Sequence, residues 1–226
     1  MGSIPIVAST ASGRVLPVRG CFAPATVLYA HDMESIALVA AGWASGLNAY
    51  LTVLILGASG RLGWADTPVG LQSNLVLSAA GIAFAIEFVI DKVPLLDSVW
   101  DMAHTFIRPV IGGMTGAAIA AGQLGRPAAF ALAAGLALIG HLTKSTSRLA
   151  INMSPEPFTN IIASFTEDGI VSALVVLAMA YPTIAALTAA AAAICGVVVA
   201  FLLWRLARRG LLRVRSWLRR QPAPTV

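Results

Sequence analysis

Apolar residues fill six long runs of the sequence, separated by short segments rich in glycine, proline or polar residues. Each run is about as long as a helix that crosses a bilayer, which needs roughly 20 residues. Pro94 and Pro155 mark the two tightest connections, and Pro182 separates the last two runs. The pattern predicts six helices, over about 34–58, 71–91, 97–122, 128–151, 156–180 and 183–206.

The composition indicates that these helices lie in a membrane. Hydrophobic residues make up 58% of the 226 residues and charged residues only 11%, whereas a soluble domain is about 25% charged. The two cysteines, Cys21 and Cys195, argue against a disulfide framework and a cysteine zinc site. The expected fold is an all-α polytopic transmembrane bundle of about six spans.

The first 32 residues do not fit a signal peptide well, because Arg14 and Arg19 follow the short apolar stretch instead of preceding it. We expect residues 1–32 to be a disordered leader, or an upstream extension of a protein that begins at Met33. A cleaved signal is a third alternative. The predicted transmembrane domain then covers residues 33–206.

The remaining segment, residues 207–226, is a basic tail. Seven of the thirteen arginines lie in the last 22 residues, which favours attraction to anionic lipids over nucleic-acid binding. Leu211, Val214 and Leu218 recur at helical spacing, as in an amphipathic helix on the inner membrane surface; a disordered topology anchor is the alternative. The positive-inside rule and an even span count place both termini in the cytoplasm, in a bacterial inner membrane. An oligomer is compatible with the sequence.

Polar residues form four stripes on otherwise apolar runs. The stripes are Glu87 and Asp91; Asp97, Asp101, His104 and Arg108; His141, Lys144, Arg148 and Asn152; and Glu156, Asn160, Ser164 and Glu167. Steps of three or four residues place each stripe on one helix face. A charge facing lipid at this depth costs several kcal/mol. We therefore expect the stripes to line a polar cavity between helices two to five that opens to the cytoplasm.

The stripes carry unbalanced charge. Together with Lys92 and Asp168 they hold seven carboxylates and four cationic side chains, a formal charge of −3 with neutral histidines. Either some carboxylates are protonated or a cation supplies the missing charge. Glu87, Asp97 and Asp101 are candidate ligands for a divalent ion such as Mg²⁺, Mn²⁺ or Zn²⁺, although no recognised metal motif is present. A purely structural ion-pair network is the alternative.

Asn48 and the two stripe histidines have two interpretations each. The stretch "GLNAY" around Asn48 fits a broken helix lining the cavity, or a packing and hydrogen-bonding position inside one helix. His104 and His141 fit ligands or proton relays, or simple hydrogen-bond partners.

Several of these segments resemble one family of small bacterial and archaeal membrane proteins, DUF4126. The similar pieces are "GLNAYLTVLILGASGRLG", "EFVIDKVPLLDSVWDMAHTFIRPVIGG", "HLTKSTSRLAINMSPEPFTN" and "NIIASFTEDGIVSALVVLAMAYP". They cover roughly residues 34–182. The resemblance implies a polytopic membrane protein and carries no assigned activity.

The leading functional hypothesis is a cation- or proton-coupled transporter or channel for a small solute. The ion- or proton-binding candidates are Glu87, Asp91, Asp97, Asp101, His104, Glu167 and Asp168. The candidates for an anionic group or for internal counter-ions are Lys92, Arg108, His141, Lys144 and Arg148, and the polar cavity would add Asn48, Asn152, Glu156, Asn160 and Ser164. The alternatives are a metal-dependent phosphotransferase or phosphatase acting on lipid head groups, and a non-catalytic scaffold.

Overall fold

The computed structural model describes residues 25–93, 95–152 and 157–218, and within these ranges the chain is all-helical. A 3₁₀ turn at Val69–Gln72 accompanies seven α-helices: α1 (Ala25–Leu47), α2 (Ala49–Arg61), α3 (Asn74–Ile90), α4 (Leu96–Leu124), α5 (Arg126–Ile151), α6 (Pro157–Ala180) and α7 (Pro182–Leu218). The predicted all-α bundle is confirmed.

The first predicted helix is two helices. Asn48 interrupts the run with an extended backbone, φ −148° and ψ 99°, and its side-chain oxygen accepts a hydrogen bond from the Leu51 N–H at 2.9 Å. This is the geometry of a helix N-cap, which satisfies one of the free N–H groups at the start of α2. The prediction of one helix over 34–58 was therefore wrong. The helix break that one interpretation of "GLNAY" expected is confirmed, and its place in a cavity wall stays a prediction.

The two halves form a hairpin inside the bundle. Leu38 clusters with Ala129 and Ala133, and a methyl group on Gly46 would lie 2.1 Å from the Ala137 carbonyl oxygen. These contacts make α1 parallel to α5. α2 runs back along α3, where a methyl group on Gly57 would lie 2.8 Å from the Leu77 side chain. The tip of this α1–α2 hairpin is Asn48.

The hairpin changes the predicted topology. α7 begins at Pro182, which shares a cavity wall with Ala37 of α1, and it passes Thr143 of α5 at Gly196. α7 therefore runs parallel to α1, and the first described residue, Ala25, lies at the opposite end of the bundle from Leu218. The predicted even number of membrane crossings, with both termini on the same side, therefore does not fit the described residues. Residues 1–24 and 219–226 lie outside the described part of the chain.

Within the described part of the chain, three helices are long and apolar enough to cross a membrane by length and composition: Arg126–Ile151, Phe158–Ala180 and Pro182–Gly210. Three shorter apolar helices are Ser35–Leu47, Ala49–Arg61 and Asn74–Ile90. The polarity of the bundle is inverted relative to a soluble protein, since Phe106 is 78% exposed while Arg108, two residues away, is fully buried. These features support a membrane protein, with fewer clear spans than the six predicted.

The predicted segment boundaries fall inside helices. α1 begins at Ala25, within the expected leader, and α7 continues without a break from the expected domain end at residue 206 to Leu218. The expected tail is therefore helical as far as Leu218, where it forms an extension of α7 and not a separate helix. Its position on a lipid surface stays a prediction.

Candidate functional site

The four predicted stripes meet at one end of the bundle. We call the following set the ion network: Glu87 and Asp91 of α3 and its C-terminus, Asp97, Asp101 and Arg108 of α4, Lys144 and Arg148 of α5, and Glu167 of α6. Glu167 has 14% of its side chain exposed, and the others are at most 3% exposed. We call this the network end of the bundle and the opposite one, which carries residues 62–73, the loop end.

Arg108 connects three helices at the centre of the network. Its Nη2 lies 2.6 Å from Glu87 Oε1 and 3.0 Å from Asp101 Oδ1. Its Nη1 donates to His141 Nδ1 at 2.8 Å and to the carbonyl oxygen of Gly46 at 3.3 Å. A guanidinium has only donors, so His141 Nδ1 must accept. His141 is therefore the neutral tautomer with its proton on Nε2.

Thr105 completes the surroundings of His141. The Thr105 hydroxyl lies 3.0 Å from His141 Nε2 and donates to the Asp101 carbonyl oxygen at 3.2 Å. Both contacts agree when the imidazole N–H donates to the hydroxyl, which in turn donates to the backbone. His141 is thus a hydrogen-bonding partner of Arg108, one of the two roles expected for it.

His104 lies beside the network without joining its ion pairs. Its Nδ1 lies 2.8 Å from the Trp100 carbonyl oxygen and must therefore carry a proton. Its Nε2 lies 2.9 Å from the Tyr50 hydroxyl of α2, and its ring lies 4.5 Å from the Trp100 ring, centroid to centroid. The Tyr50 contact ties α4 to the helix that follows the break.

Lys144 is enclosed by carboxylates. Its Nζ lies 3.3 Å from Glu87 Oε1 and 3.6 Å from Glu167 Oε2, and it makes a short contact with Asp91. Lys144 is 1% exposed, so these three side chains supply the charge compensation that water gives an exposed lysine.

Arg148 pairs with Glu167 through two parallel bonds, from Nε to Oε1 at 3.1 Å and from Nη2 to Oε2 at 2.7 Å. This fork-to-fork geometry is the strong form of a charge-assisted hydrogen bond. Its Nη1 donates to Asn160 Oδ1 at 2.6 Å and to the Asp91 carbonyl oxygen at 2.9 Å. Asp97 lies 3.8 Å from Arg148 and accepts from Asn152 Nδ2 at 2.9 Å.

Two predicted site residues lie at the edge of the network. Lys92 Nζ sits 3.0 Å from the centre of the Phe88 ring and donates to Ser164 Oγ at 3.3 Å. Burial lowers the pKa of Lys92, which follows the C-terminus of α3. Asp168 accepts a hydrogen bond from Asn48 Nδ2 at 3.0 Å, so the helix break is anchored to a carboxylate of α6. Glu156 lies outside the described residues.

The described residues of the ion network carry an excess of negative charge. The network has five carboxylates and three cationic side chains, a formal charge of −2. Several buried carboxylate oxygens in the described part accept no hydrogen bond: Glu87 Oε2, Asp91 Oδ1, both oxygens of Asp101, and Asp168 Oδ2. Burial leaves these oxygens without the hydrogen bonds that buried polar atoms usually have.

The predicted metal ligands do not form a metal site. Glu87 and Asp101 both face Arg108, and Asp97 faces Arg148 and Asn152. Among the described residues no group of three or more His, Cys, Asp or Glu side chains is arranged to hold a metal ion. Cations of the protein itself occupy the positions that a divalent ion would need.

Part of the expected polar cavity between helices two to five corresponds to a groove between α4 and α5. The network side chains themselves are almost fully buried, and of the two cavities beside them Asp101 lines one. One, of about 610 Å³, is at the loop end between α1, α2, α4 and the start of α7. The other is a groove of about 320 Å³ between α4 and α5, lined by Ser98, Asp101, Met102, Thr105, Ser145, Thr146 and Leu149.

The family model described as "Domain of unknown function (DUF4126)" matches residues 36–206. The chain belongs to the DUF4126 family. The DUF4126 match contains the whole ion network and the break at Asn48, and it ends within α7, so most of the arginine tail lies beyond it. The DUF4126 description assigns no activity. The chain matches no curated protein and no solved structure.

Thr105, Tyr50 and Gly46 contribute to the site although none was a predicted site residue. Thr105 is four residues after Asp101 and therefore lies on the same helix face. This spacing is a signal in the sequence, although the neighbouring His104 is the more obvious candidate. Gly46 contributes a backbone carbonyl, and Tyr50 a hydroxyl that reaches across from another helix. Neither role has a sequence signature.

Proposed function

We propose that the protein is a proton-coupled carrier of a small solute in the bacterial inner membrane, and that the ion network takes up and releases the coupling protons. The observation that carries this proposal is the charge of −2 on a network buried among apolar helices. A purely structural network has no reason to keep two uncompensated charges, because each buried unpaired charge costs several kcal/mol. Protons are the smallest groups that supply the compensation.

The α1–α2 hairpin supports the same proposal. Carriers commonly place their binding sites where a membrane helix is broken, since the exposed backbone groups at the break can contact ligands. Here the break lies against the network: Arg108 of the network donates to the Gly46 carbonyl, and Asn48 donates to Asp168 at the network's edge. A change in the charge of the network would therefore act on the tip of the hairpin.

Access from two sides is a further requirement of a carrier. The 610 Å³ cavity at the loop end and the 320 Å³ groove at the network end would provide it. The positive-inside rule puts the network end in the cytoplasm, because Arg205, Arg208 and Arg209 follow the apolar part of α7. The arginine tail would bind anionic lipids there.

The two other hypotheses fit less well. A metal-dependent phosphotransferase needs carboxylates that converge on an ion, and here Arg108 separates Glu87 from Asp101. A scaffold needs a network that is neutral and closed. The excess charge and the unpartnered carboxylate oxygens are features of a group that titrates.

The test is a current measurement on proteoliposomes adsorbed to a solid support, with pools of small solutes applied at several pH values. We expect at least one pool to evoke a proton-dependent current in the wild type. Glu87→Gln should abolish that current, and Arg126→Gln, which removes an exposed charge outside the network and outside both cavities, should retain it. Monodisperse elution in detergent must show that both variants are folded. If the wild type gives no current with any pool, like the Glu87→Gln variant, the proposal is overturned.

A further inference from the structure

The groove between α4 and α5 leads from the end of the bundle to the network. Ser98 is near the start of α4 and Leu149 near the end of α5, so the mouth lies at the network end. Thr105 lies seven residues further along α4, about 10 Å deeper at 1.5 Å per residue. Four of the seven lining residues carry hydroxyl groups: Ser98, Thr105, Ser145 and Thr146. Hydroxyl groups both donate and accept, so they can order water along such a path.

Asp101 is the ionisable group that lines this groove. It is 3% exposed, and neither of its carboxylate oxygens accepts a hydrogen bond, although Oδ1 lies 3.0 Å from Arg108 Nη2. Asp97, on the same helix face, is by contrast satisfied by Asn152 and by the Ser98 N–H. A buried carboxylate that borders a groove containing hydroxyl groups, and that lacks hydrogen bonds of its own, is poised to gain a proton.

We infer that Asp101 is the entry point for the coupling proton and that the α4–α5 groove is its path from the cytoplasmic side. A hydronium ion in the groove transfers its proton to the Asp101 carboxylate, which leaves water and a neutral carboxyl group. The neutral carboxyl no longer balances Arg108, whose guanidinium then interacts more strongly with Glu87. This inference rests on the proposed function, to which it adds the route and the first acceptor.

Charged and titratable groups of several helices surround Asp101. Arg108 contacts it directly and shares the same Nη2 atom with Glu87, while Asp91, Lys144 and Glu167 act on it electrostatically. His104 is three residues away on the same helix, and His141 is linked through Thr105 to the Asp101 backbone. Three carboxylates and two cations thus surround it, and the neutral His141 contributes no charge. Protonation of Asp101 removes one of the two excess negative charges of the network.

Access is tested by cysteine labelling in proteoliposomes, in a Cys21→Ser/Cys195→Ser background. Ser145→Cys, in the groove, should react several-fold faster with a water-borne methanethiosulfonate than Thr143→Cys does. Thr143 is the matched control, because it lies on the same helix but packs against Gly196 of α7. Equal rates at the two positions would overturn the route.

Protonation is tested by infrared difference spectra recorded between acidic and alkaline pH. We expect a protonated-carboxyl C=O band that is lost in Asp101→Asn and kept in Asp97→Asn. If Asp101→Asn does not fold, Ser145→Leu fills the groove without changing a charge, and it should slow the appearance of the band several-fold after a pH jump. A band that survives Asp101→Asn, or one that forms at the wild-type rate in Ser145→Leu, would overturn the inference.

The two proposals fail in different ways. Rapid labelling and an Asp101 band without any solute-evoked current would leave the entry point standing and remove the carrier. A current that persists in Asp101→Asn would leave the carrier standing and remove the entry point.

Discussion

Arg108 holds together parts of three other helices through one guanidinium group. It contacts Glu87 of α3, His141 of α5 and the Gly46 carbonyl of α1, and it is fully buried. An isolated buried guanidinium would be strongly unfavourable, so its stability depends on the carboxylates around it. Loss of Arg108 would in turn leave those carboxylates without their nearest cation.

We expect Arg108→Gln to lower the free energy of unfolding by about 3–5 kcal/mol, the usual effect of breaking a buried ion pair. The double variant Arg108→Gln/Glu87→Gln should be more stable than the sum of the single effects, with a coupling of about 0.5–3 kcal/mol. Thermal unfolding in detergent measures both. Additive single effects would show that the 2.6 Å contact contributes no specific interaction.

Lys92 and Lys144 are the two lysines of the chain and should differ sharply in reactivity. Burial lowers the pKa of Lys92, so more of its amine is unprotonated at a given pH. Lys144 is 1% exposed and ion-paired. Reductive methylation followed by mass spectrometry should therefore modify Lys92 and spare Lys144.

The pH dependence of that reaction tests the cause. We expect Phe88→Ala to move the midpoint of Lys92 methylation to higher pH, because the hydration that the ammonium gains should outweigh the cation–π contact that it loses. Lys92→Arg should show no internal labelling. A midpoint that moves to lower pH, or not at all, in Phe88→Ala would show that burial by this ring is not the dominant cause of the shift.

At the scale of elements, α1 and α5 pack through glycine. A methyl group on Gly46 would lie 2.1 Å from the Ala137 carbonyl oxygen, and one on Gly140 would lie 2.4 Å from the Trp43 carbonyl oxygen. Such contacts involve backbone atoms that cannot rotate away. Small residues at helix interfaces in membranes permit this close approach, and here it sets the distance from Arg108 to the Gly46 carbonyl.

We expect Gly46→Ala to lower the free energy of unfolding by about 1–3 kcal/mol through overpacking. Gly135→Ala is the matched control, because Gly135 is also in this helix pair but a methyl group there meets nothing within 4 Å. It should leave stability unchanged or raise it by up to about 1 kcal/mol through helix propensity. Equal effects in thermal unfolding would contradict the close packing of α1 on α5.

The helices and the polar stripes could be predicted, because both depend on spacing within one segment. The sequence could not show whether the helix breaks at Asn48. Residues 34–58 are apolar on both sides of it, and an asparagine that caps a helix looks the same in a sequence as one that packs inside a helix. The sequence also could not show which charged residues of different stripes pair with each other. Glu87 and Asp101 looked like two ligands for one ion, and only the fold shows Arg108 between them.

For the whole molecule, the hairpin places Ala25 and Leu218 at opposite ends. In a Cys21→Ser/Cys195→Ser background, Gly63→Cys in the loop and Thr26→Cys at the start of α1 should react with an impermeant thiol reagent on intact spheroplasts. Gly210→Cys near the end of α7 should react only after permeabilisation. Labelling of Thr26→Cys and Gly210→Cys from the same side would contradict the hairpin and restore an even number of crossings.

The separation of charge between helices also has a consequence for how the protein enters the membrane. By the end of α4 the chain contains Glu87, Asp91, Asp97 and Asp101 but only Arg108 among the network cations, because Lys144 and Arg148 belong to α5. An α3–α4 pair released alone into lipid would carry several uncompensated acids, which is unfavourable. Insertion of α4 must therefore wait for α5 at the translocon, and a chain truncated before residue 144 should be a substrate for membrane quality-control proteases.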